Sequence, residues 1–447
     1  MFSMSTPDFA RFLLAVGALL LAANVLGYIA ERLTVPRVIG EVAGGLLLGP
    51  TLLGHFFPHA FNWLYLGFKT ESDLFGFLSE FGLIMLMFNS GLKFKHRFEK
   101  QDVKIGISII VASTVIPFIV GWLATYMFNP SQFLGTDHNL IALKIVIAIS
   151  IAVTSIPVIA KIFSDLGIMH TRFSRIVVGI AGVHDIILFV ALAIASGIVA
   201  GHQGVNAGLI LESVGVTVAF LLFAMLFVPW VLKRVTSKRA NFVFRASFLG
   251  YFLLILLVLS DIAGYLNVDP MYGSLLAGIA TKLALPERLA KRVEDSVREI
   301  SFSFFIPLFF GIVGLQLNLA TNFSVGFFVL YLLFATIVQT VVVYFTNRAI
   351  KLDKLTSFNL AAAMNARGGP GIVLAQVAFS IGIINQNFFA ILVMLALGTS
   401  WMAGSWLRHV IKSGRLLIAG DENLIVQKAQ EEVLFDEPEP AAIPGKA

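Results

Sequence analysis

The chain has 447 residues, 58% of them hydrophobic and only 13% charged, where a soluble domain carries about 25% charged residues. No water-soluble fold of this length hides so much apolar surface, and the lack of cysteine excludes disulfides and thiol catalysis. The formal charge of +6 does not point to nucleic acid, because the basic residues sit in short loops between apolar runs, where membrane topology puts them.

About 20 residues of helix cross the hydrocarbon core of a bilayer. Nearly uncharged runs of that length recur at 9–30, 38–57, 73–93, 104–127, 139–161, 172–199, 205–232, 243–265, 268–285, 299–317, 324–346, 356–381 and 386–409. They predict an all-α membrane protein with thirteen transmembrane helices. Barrel strands are shorter and alternate in polarity, which these runs do not. The first run follows MFSMSTPDF, which has an acid, no basic cluster and no small-residue cleavage site, so it reads as a retained helix rather than a signal peptide.

Charge orients the bundle. Lys93, Lys95, Arg97, Lys100 and Lys104 follow the third helix, and Lys233, Arg234, Lys238, Arg239 and Arg245 follow the seventh. Lys282, Arg288, Lys291, Arg292 and Arg298 follow the ninth, whereas the alternate loops hold little beyond Arg11 and Lys69. The basic side is the cytoplasmic one. The expectation is a multi-pass protein of the cell inner membrane with its N-terminus outside and its C-terminus inside. Residues 1–412 form the membrane domain, and the short acidic tail 413–447 is expected to be disordered.

The two halves echo each other. VPRVIGEVAGGLLLGP (35–50) and DPMYGSLLAGIATKLALP (269–286) each set a proline ahead of a Gly-rich apolar helix. LIMLMFNSGLKF (83–94) resembles IPLFFGIVGLQL (306–317), with Phe88, Gly91 and Leu92 against Phe310, Gly314 and Leu315, allowing one residue of slack. On the predicted topology the matching helices cross in opposite directions, the plan of an inverted-topology repeat in secondary transporters. The same plan predicts two broken helices. AVTSIPVIAK (152–161) holds Pro157, and MNARGGPGIVL (364–374) holds three glycines and Pro370. The competing reading is two kinked helices bent for packing.

Asp185 stands mid-helix in GIAGVHDIILFVALAIASG. A carboxylate in hydrocarbon costs roughly 2.5–3.5 kcal/mol on insertion scales and persists where it faces a cavity or partner. It can bind a proton or a small cation, so the two can compete for one site; the bland alternative is a neutral acid joining two helices. His184 precedes it and either carries a second proton, holds substrate, orients Asp185 or packs as a neutral ring. Thr154 and Ser155, at the fifth-helix break, offer short oxygen ligands for a cation. Arg367 lies in the twelfth-helix break, either covering helix ends or neutralising a buried acid, with Glu80 as candidate partner. Asn89 and Ser90 are weaker candidates for the same cavity, since small polar residues also mediate helix packing. Glu41, Glu212 and Asp261 read as interfacial. No enzyme constellation, metal-ligand cluster or Walker loop appears, so no cofactor is implied and ATP is not the direct driver.

Taken together, VPRVIGEVAGGLLLGP, FGLIMLMFNSGLKF, the Thr-Ser pair before Pro157, VHDIILF, FFGIVGLQLNL and MNARGG resemble the monovalent cation:proton antiporter family. The likeness extends over 9–409, and is greatest for its second branch of bacterial sodium/proton and potassium-efflux antiporters. The resemblance implies a homodimer in which a core (about 73–199 and 299–409) moves against a scaffold (about 9–57 and 205–285) in an elevator-like cycle. It also puts the ion-binding acid on Asp185, the Thr-Ser pair on Thr154 and Ser155, and the Ala-Arg-Gly motif on Ala366, Arg367 and Gly368. The sequence departs from the family at His184, where relatives carry Asp, Asn or Gln, and in having no Lys or Arg in 299–317. The function expected is exchange of Na+ or K+ for protons across the bilayer, electroneutral because one buried acid is available. The alternative is proton-coupled transport of another small solute or anion on the same scaffold.

Overall fold

A computed structural model describes residues 5–33, 35–68, 70–93, 102–200, 207–236, 241–320, 323–419 and 421. The described chain is a helical bundle. The long helices of its first half are α1 (Thr6–Arg32), α2 (Arg37–Leu48), α3 (Glu71–Leu92), α4 (Val103–Ala124), α5 (Leu140–Ala152), α6 (Ile156–Asp165) and α7 (Arg172–Ala200). Then come α8 (Ala207–Leu222), which runs through a π turn at Phe223–Phe227 into α9 (Val228–Thr236), followed by α10 (Phe248–Tyr265) and α11 (Pro270–Ala284). α12 (Glu287–Ile300) passes through a second π turn (Ser301–Phe305) into α13 (Ile306–Gln316), and α14 (Val325–Ala349), α15 (Lys354–Ala363), α16 (Gly368–Ser380) and α17 (Gln386–Lys412) complete the bundle.

Ten helical stretches among the described residues are long and apolar enough to cross a membrane. Their outer faces are what lipid requires. Along α4, Ile107, Val111, Val115 and Ile119 repeat at every fourth residue and are all exposed. α1 exposes Leu14, Leu21 and Val25 and turns the small residues Ala15, Ala23, Gly27 and Ala30 inward, where they allow close packing on α2. The tenth predicted helix begins earlier than residue 299, because the polar stretch before it forms α12, which buries only Ala290, Val293 and Val297.

Glycines set the interior contacts in matching pairs. Gly91 of α3 lies on Gly278 of α11, and a methyl at Gly278 would strike the Phe88 carbonyl. Gly314 of α13 lies on Gly45 of α2, and a methyl at Gly45 would strike the Gly311 carbonyl. The third helix thus packs on the ninth as the tenth packs on the second.

Two crossings are interrupted as expected, but the breaks sit a few residues earlier than the prolines suggest. α5 ends at Ala152 and α6 starts at Ile156, with Pro157 in its first turn, where a missing N–H costs nothing. α15 ends at Ala363 and α16 starts at Gly368, so GGPG opens the second half-helix and the unwound residues are Met364–Arg367. The ends of these crossings are also tied: Gly135 N donates to Ile383 O at 3.0 Å and Asn385 N to Phe133 O at 3.0 Å.

Of the segment 413–447, residues 422–447 lie outside the described residues. Its first residues are seated on the bundle: Leu417 and Ile418 are buried, and Asp421 Oδ1 accepts from Arg172 N at 2.8 Å.

Candidate functional site

The two breaks meet. Ser155 N donates to Ala366 O at 2.8 Å, and the Thr154 hydroxyl donates to Met364 O. Both side chains are buried. Thr154 is therefore committed to the opposite break, while Ser155 Oγ is buried without a hydrogen-bond partner. Gly368 fits this approach because its φ is +33° and a β-carbon there would collide with the Val158 side chain. Its N–H donates to Ser400 Oγ of α17 at 2.9 Å.

Arg367 is 1% exposed and packs none of its donors on an acid. Nε donates to Ser150 O at 2.9 Å, and Nη2 donates to Ile151 O and Ala335 O, each at 3.0 Å. Nη1 lies 3.4 Å from both Asn365 O and Oδ1. Ser150 and Ile151 sit in the last turn of α5, where carbonyls lose their intrahelical donors and the dipole is negative. The guanidinium of one broken crossing thus covers the C-terminal end of the other. Glu80 is not its partner: it is exposed on α3, close enough to Asp269 to act on that acid electrostatically.

Asp185 is 2% exposed on α7. Neither carboxylate oxygen has a hydrogen bond of good geometry, though the backbone N–H of Ile156 is within electrostatic reach. Ile156 is the first residue of α6, so the acid faces the positive end of a half-helix directly beside Ser155. A buried polar group without a protein partner points to a ligand or a strain reservoir. Here two such groups, Asp185 and Ser155, stand at one helix N-terminus.

His184 is fully buried. Its Nε2 lies 3.1 Å from Ser113 Oγ on α4, and that hydroxyl donates its own proton to Ile109 O. Ser113 can then only accept from the ring, so Nε2 carries the hydrogen and Nδ1 is bare. Nδ1 has no partner. The histidine and Asp185 are not hydrogen-bonded to each other, and the ring turns towards α4 rather than into the crossing.

Asn89 stands elsewhere. Its Nδ2 donates to Met85 O at 2.8 Å and to Ser301 Oγ at 2.9 Å, tying α3 to the π turn before α13. Ser90 bonds back to Leu86 O at 3.0 Å. Neither residue lines the cavity that leads to the breaks. That cavity, of about 510 Å³, has Ile156, Val158 and Gly369 at the breaks and Lys161, Lys282 and Arg298 on its walls, and it includes Glu41. Glu41 is buried. Ser113, Ser400 and Glu41 were not predicted from sequence: a lone serine in an apolar helix and an acid one turn from a helix start are common without function.

Over residues 18–413 the sequence matches the family described as sodium/hydrogen exchanger, transmembrane. The Na(+)/H(+) antiporter NhaS4 of Synechocystis sp. is 27% identical over 388 residues, covering 85% of this chain and 92% of that protein. The Na(+)/H(+)-K(+) antiporter GerN of Bacillus cereus is 24% identical, covering 89% of this chain and 96% of that protein. In fold, the chain is similar to the sodium proton antiporter MjNhaP1 from Methanocaldococcus jannaschii, with a TM-score of 0.60 at 16% identity over 90% of this chain and 98% of that one.

Proposed function

Because the chain belongs to the sodium/hydrogen exchanger family, we propose that it exchanges Na+ or K+ for protons, with Asp185 as the group that both cargoes occupy in turn. It is a secondary transporter, not an enzyme. The observation that carries the assignment to Asp185 is its buried carboxylate, without a side-chain partner, at the Ile156 N–H that opens α6, beside the free hydroxyl of Ser155. A monovalent cation needs oxygen ligands and a compensating charge, and the acid with the Ser155 hydroxyl supplies both. Protonation of the acid removes the charge and releases the cation.

The finer reading is a member of the second, bacterial branch of the family, working by an elevator-like cycle. Thirteen crossings result when the ten long spans are joined by the two broken crossings and by the fifteen-residue α11. The matched glycine contacts of α3 with α11 and of α13 with α2 support an inverted repeat. The core is read as about 73–199 and 299–409, and the scaffold as about 9–57 and 205–285 of a homodimer. The cavity then opens to the cytoplasm, since its mouth holds the basic loop residues, and the N-terminus lies outside the inner membrane. An anion as cargo is disfavoured, because Arg367 spends its donors on carbonyls and Asn365 rather than offering them to solute.

Purified protein in proteoliposomes with defined ions on each side tests the assignment. Proton movement driven by Na+ or K+ gradients, absent from empty vesicles, is expected. Protein that moves protons against neither cation overturns it.

A further inference from the structure

The cavity below the mouth contains one buried acid, and the transport chemistry described so far does not use it. Among the described residues that line the cavity, Glu31, Glu41, Glu287 and Glu294 are acidic, and of these only Glu41 is buried, at 3% exposure. Glu31 and Glu287 lie at the mouth, paired with Lys161 and Lys282, each at 2.9 Å. Glu41 lies deeper, on α2, among the same lining as Ile156 and Gly369.

Its carboxylate is held firmly. Oε1 accepts from Arg37 Nε at 2.8 Å, and Nη2 of the same guanidinium donates to Asn24 Oδ1 at 2.7 Å. Gly27 of α1 leaves room for the Glu41 stem, since a β-carbon at Gly27 would come within 3.1 Å of Glu41 Cγ. The hydrogen bond to Arg37 occupies Oε1 alone. A carboxylate shared with a guanidinium attracts a cation less strongly than a free one, because the fixed positive charge repels what the acid attracts. Such a group makes a poor resting site and a good transit site. The rest of the wall carries both signs, with Glu31 on Lys161, Glu287 on Lys282 and Glu294 close to Lys93, so past the mouth Glu41 is the buried acid that an entering cation meets.

We propose that Glu41 is a relay residue, a weak binding point for the transported monovalent cation between the cavity mouth and Asp185, with Arg37 keeping that binding weak. The inference rests on the reading of Asp185 as the exchange site. It assigns Glu41 to the path of the ion and not to the exchange chemistry.

The experiment is initial-rate antiport by the full chain in proteoliposomes, with Na+ varied on each side in turn and melting temperature recorded for every variant. E41Q should raise the apparent KM for Na+ about tenfold on one side, the fold-change that corresponds to about 1.4 kcal/mol of lost attraction, with the maximal rate within about twofold of the parent. E41D should restore the KM. R37Q should act oppositely, lowering the KM and slowing turnover, because the freed acid holds the cation longer; it tests the relay independently if E41Q fails to assemble. A purely structural pair predicts that both variants lose melting temperature and maximal rate with KM unchanged, and that result overturns the relay. A parent protein that exchanges no monovalent cation overturns the Asp185 reading and the relay together, whereas an active parent with parental KM in E41Q and R37Q overturns the relay alone.

Discussion

Ser155 and Ala366 are joined across two chain breaks, the amide of one donating to the carbonyl of the other at 2.8 Å. Neither group could be satisfied inside its own helix, because each lies between two half-helices. In hydrocarbon an unpaired backbone group costs several kcal/mol. The crossing therefore holds itself together by exchanging the very groups that breaking the helices set free. It also leaves Asp185 facing a half-helix N-terminus instead of a neighbouring side chain.

Asp185→Asn should insert and fold, yet lose exchange. The amide matches the carboxylate in size but cannot trade a proton for a cation. The Ile156 N–H that approaches the carboxylate can approach the amide oxygen equally well, and no side chain is bonded to Asp185, so the melting temperature should stay at or above that of the parent. Cation-driven proton flux should fall to that of empty vesicles; near-parental flux from correctly assembled protein removes Asp185 from the exchange site.

Arg367→Ala should cost stability first. It strips the donors from Ser150 O, Ile151 O and Ala335 O, and each buried carbonyl left unpaired costs about 1–3 kcal/mol. A total loss of about 3 kcal/mol or more is expected, with a clear drop in melting temperature and loss of flux by that route. Arg367→Lys should recover only part, since one ammonium cannot reach carbonyls on both α5 and α14. A variant that melts like the parent while its cation affinity changes would place Arg367 in the ion site.

Gly368→Ala should be severe for so small a change. The new β-carbon meets the Val158 side chain, and the φ of +33° is strained for alanine. Overpacking of this kind costs about 1–3 kcal/mol. The effect should appear as reduced assembly or a lowered melting temperature, and Val158→Ala should relieve it in the double variant. Full stability of Gly368→Ala alone would mean that the two half-helices are not in close contact.

Much of this was legible in the sequence and some was not, for physical reasons. Long apolar runs reveal helices because hydrocarbon demands them, and Asp185 was visible because an acid amid such residues is costly. The breaks fall within 152–161 and 364–374 as read, at Thr154 and Ser155 and at Arg367, but the part given to Pro157 differs: a proline is tolerated in the first turn of the helix it begins. Of the two roles read for Arg367, covering helix ends or neutralising an acid such as Glu80, the structure has the first; the sequence left the choice open because side chains are written in it and free carbonyls are not. The real partners of Arg367 are backbone atoms exposed only by the break in the other helix. The burial of Glu41 was not visible, since nothing in VPRVIGEVAGG shows that Gly27 of the preceding helix makes room for it.

Exchange should be electroneutral. One buried acid, Asp185, faces the crossing, and returning one proton on it for one exported monovalent cation moves no net charge. A second proton needs a second titrating group; Glu41, the other buried acid of the cavity, is bound to Arg37 on α2 rather than at the crossing, and 299–317 contains no lysine or arginine. His184 is the rival. Its Nε2 hydrogen is directed at Ser113 Oγ, while Nδ1 has no partner and Asp185 does not hydrogen-bond to the ring. Placing a second proton on Nδ1 would create a buried cation with no bonded acid, which costs several kcal/mol. The ring is thus arranged to stay neutral through the cycle. Na+-driven transport in liposomes clamped at a series of potassium–valinomycin potentials decides the matter. Rates that barely change across the series are expected, for the parent and for His184→Gln alike. A steep response to voltage in the parent would defeat electroneutrality, and its disappearance in His184→Gln would then identify the histidine as the carrier of the second proton.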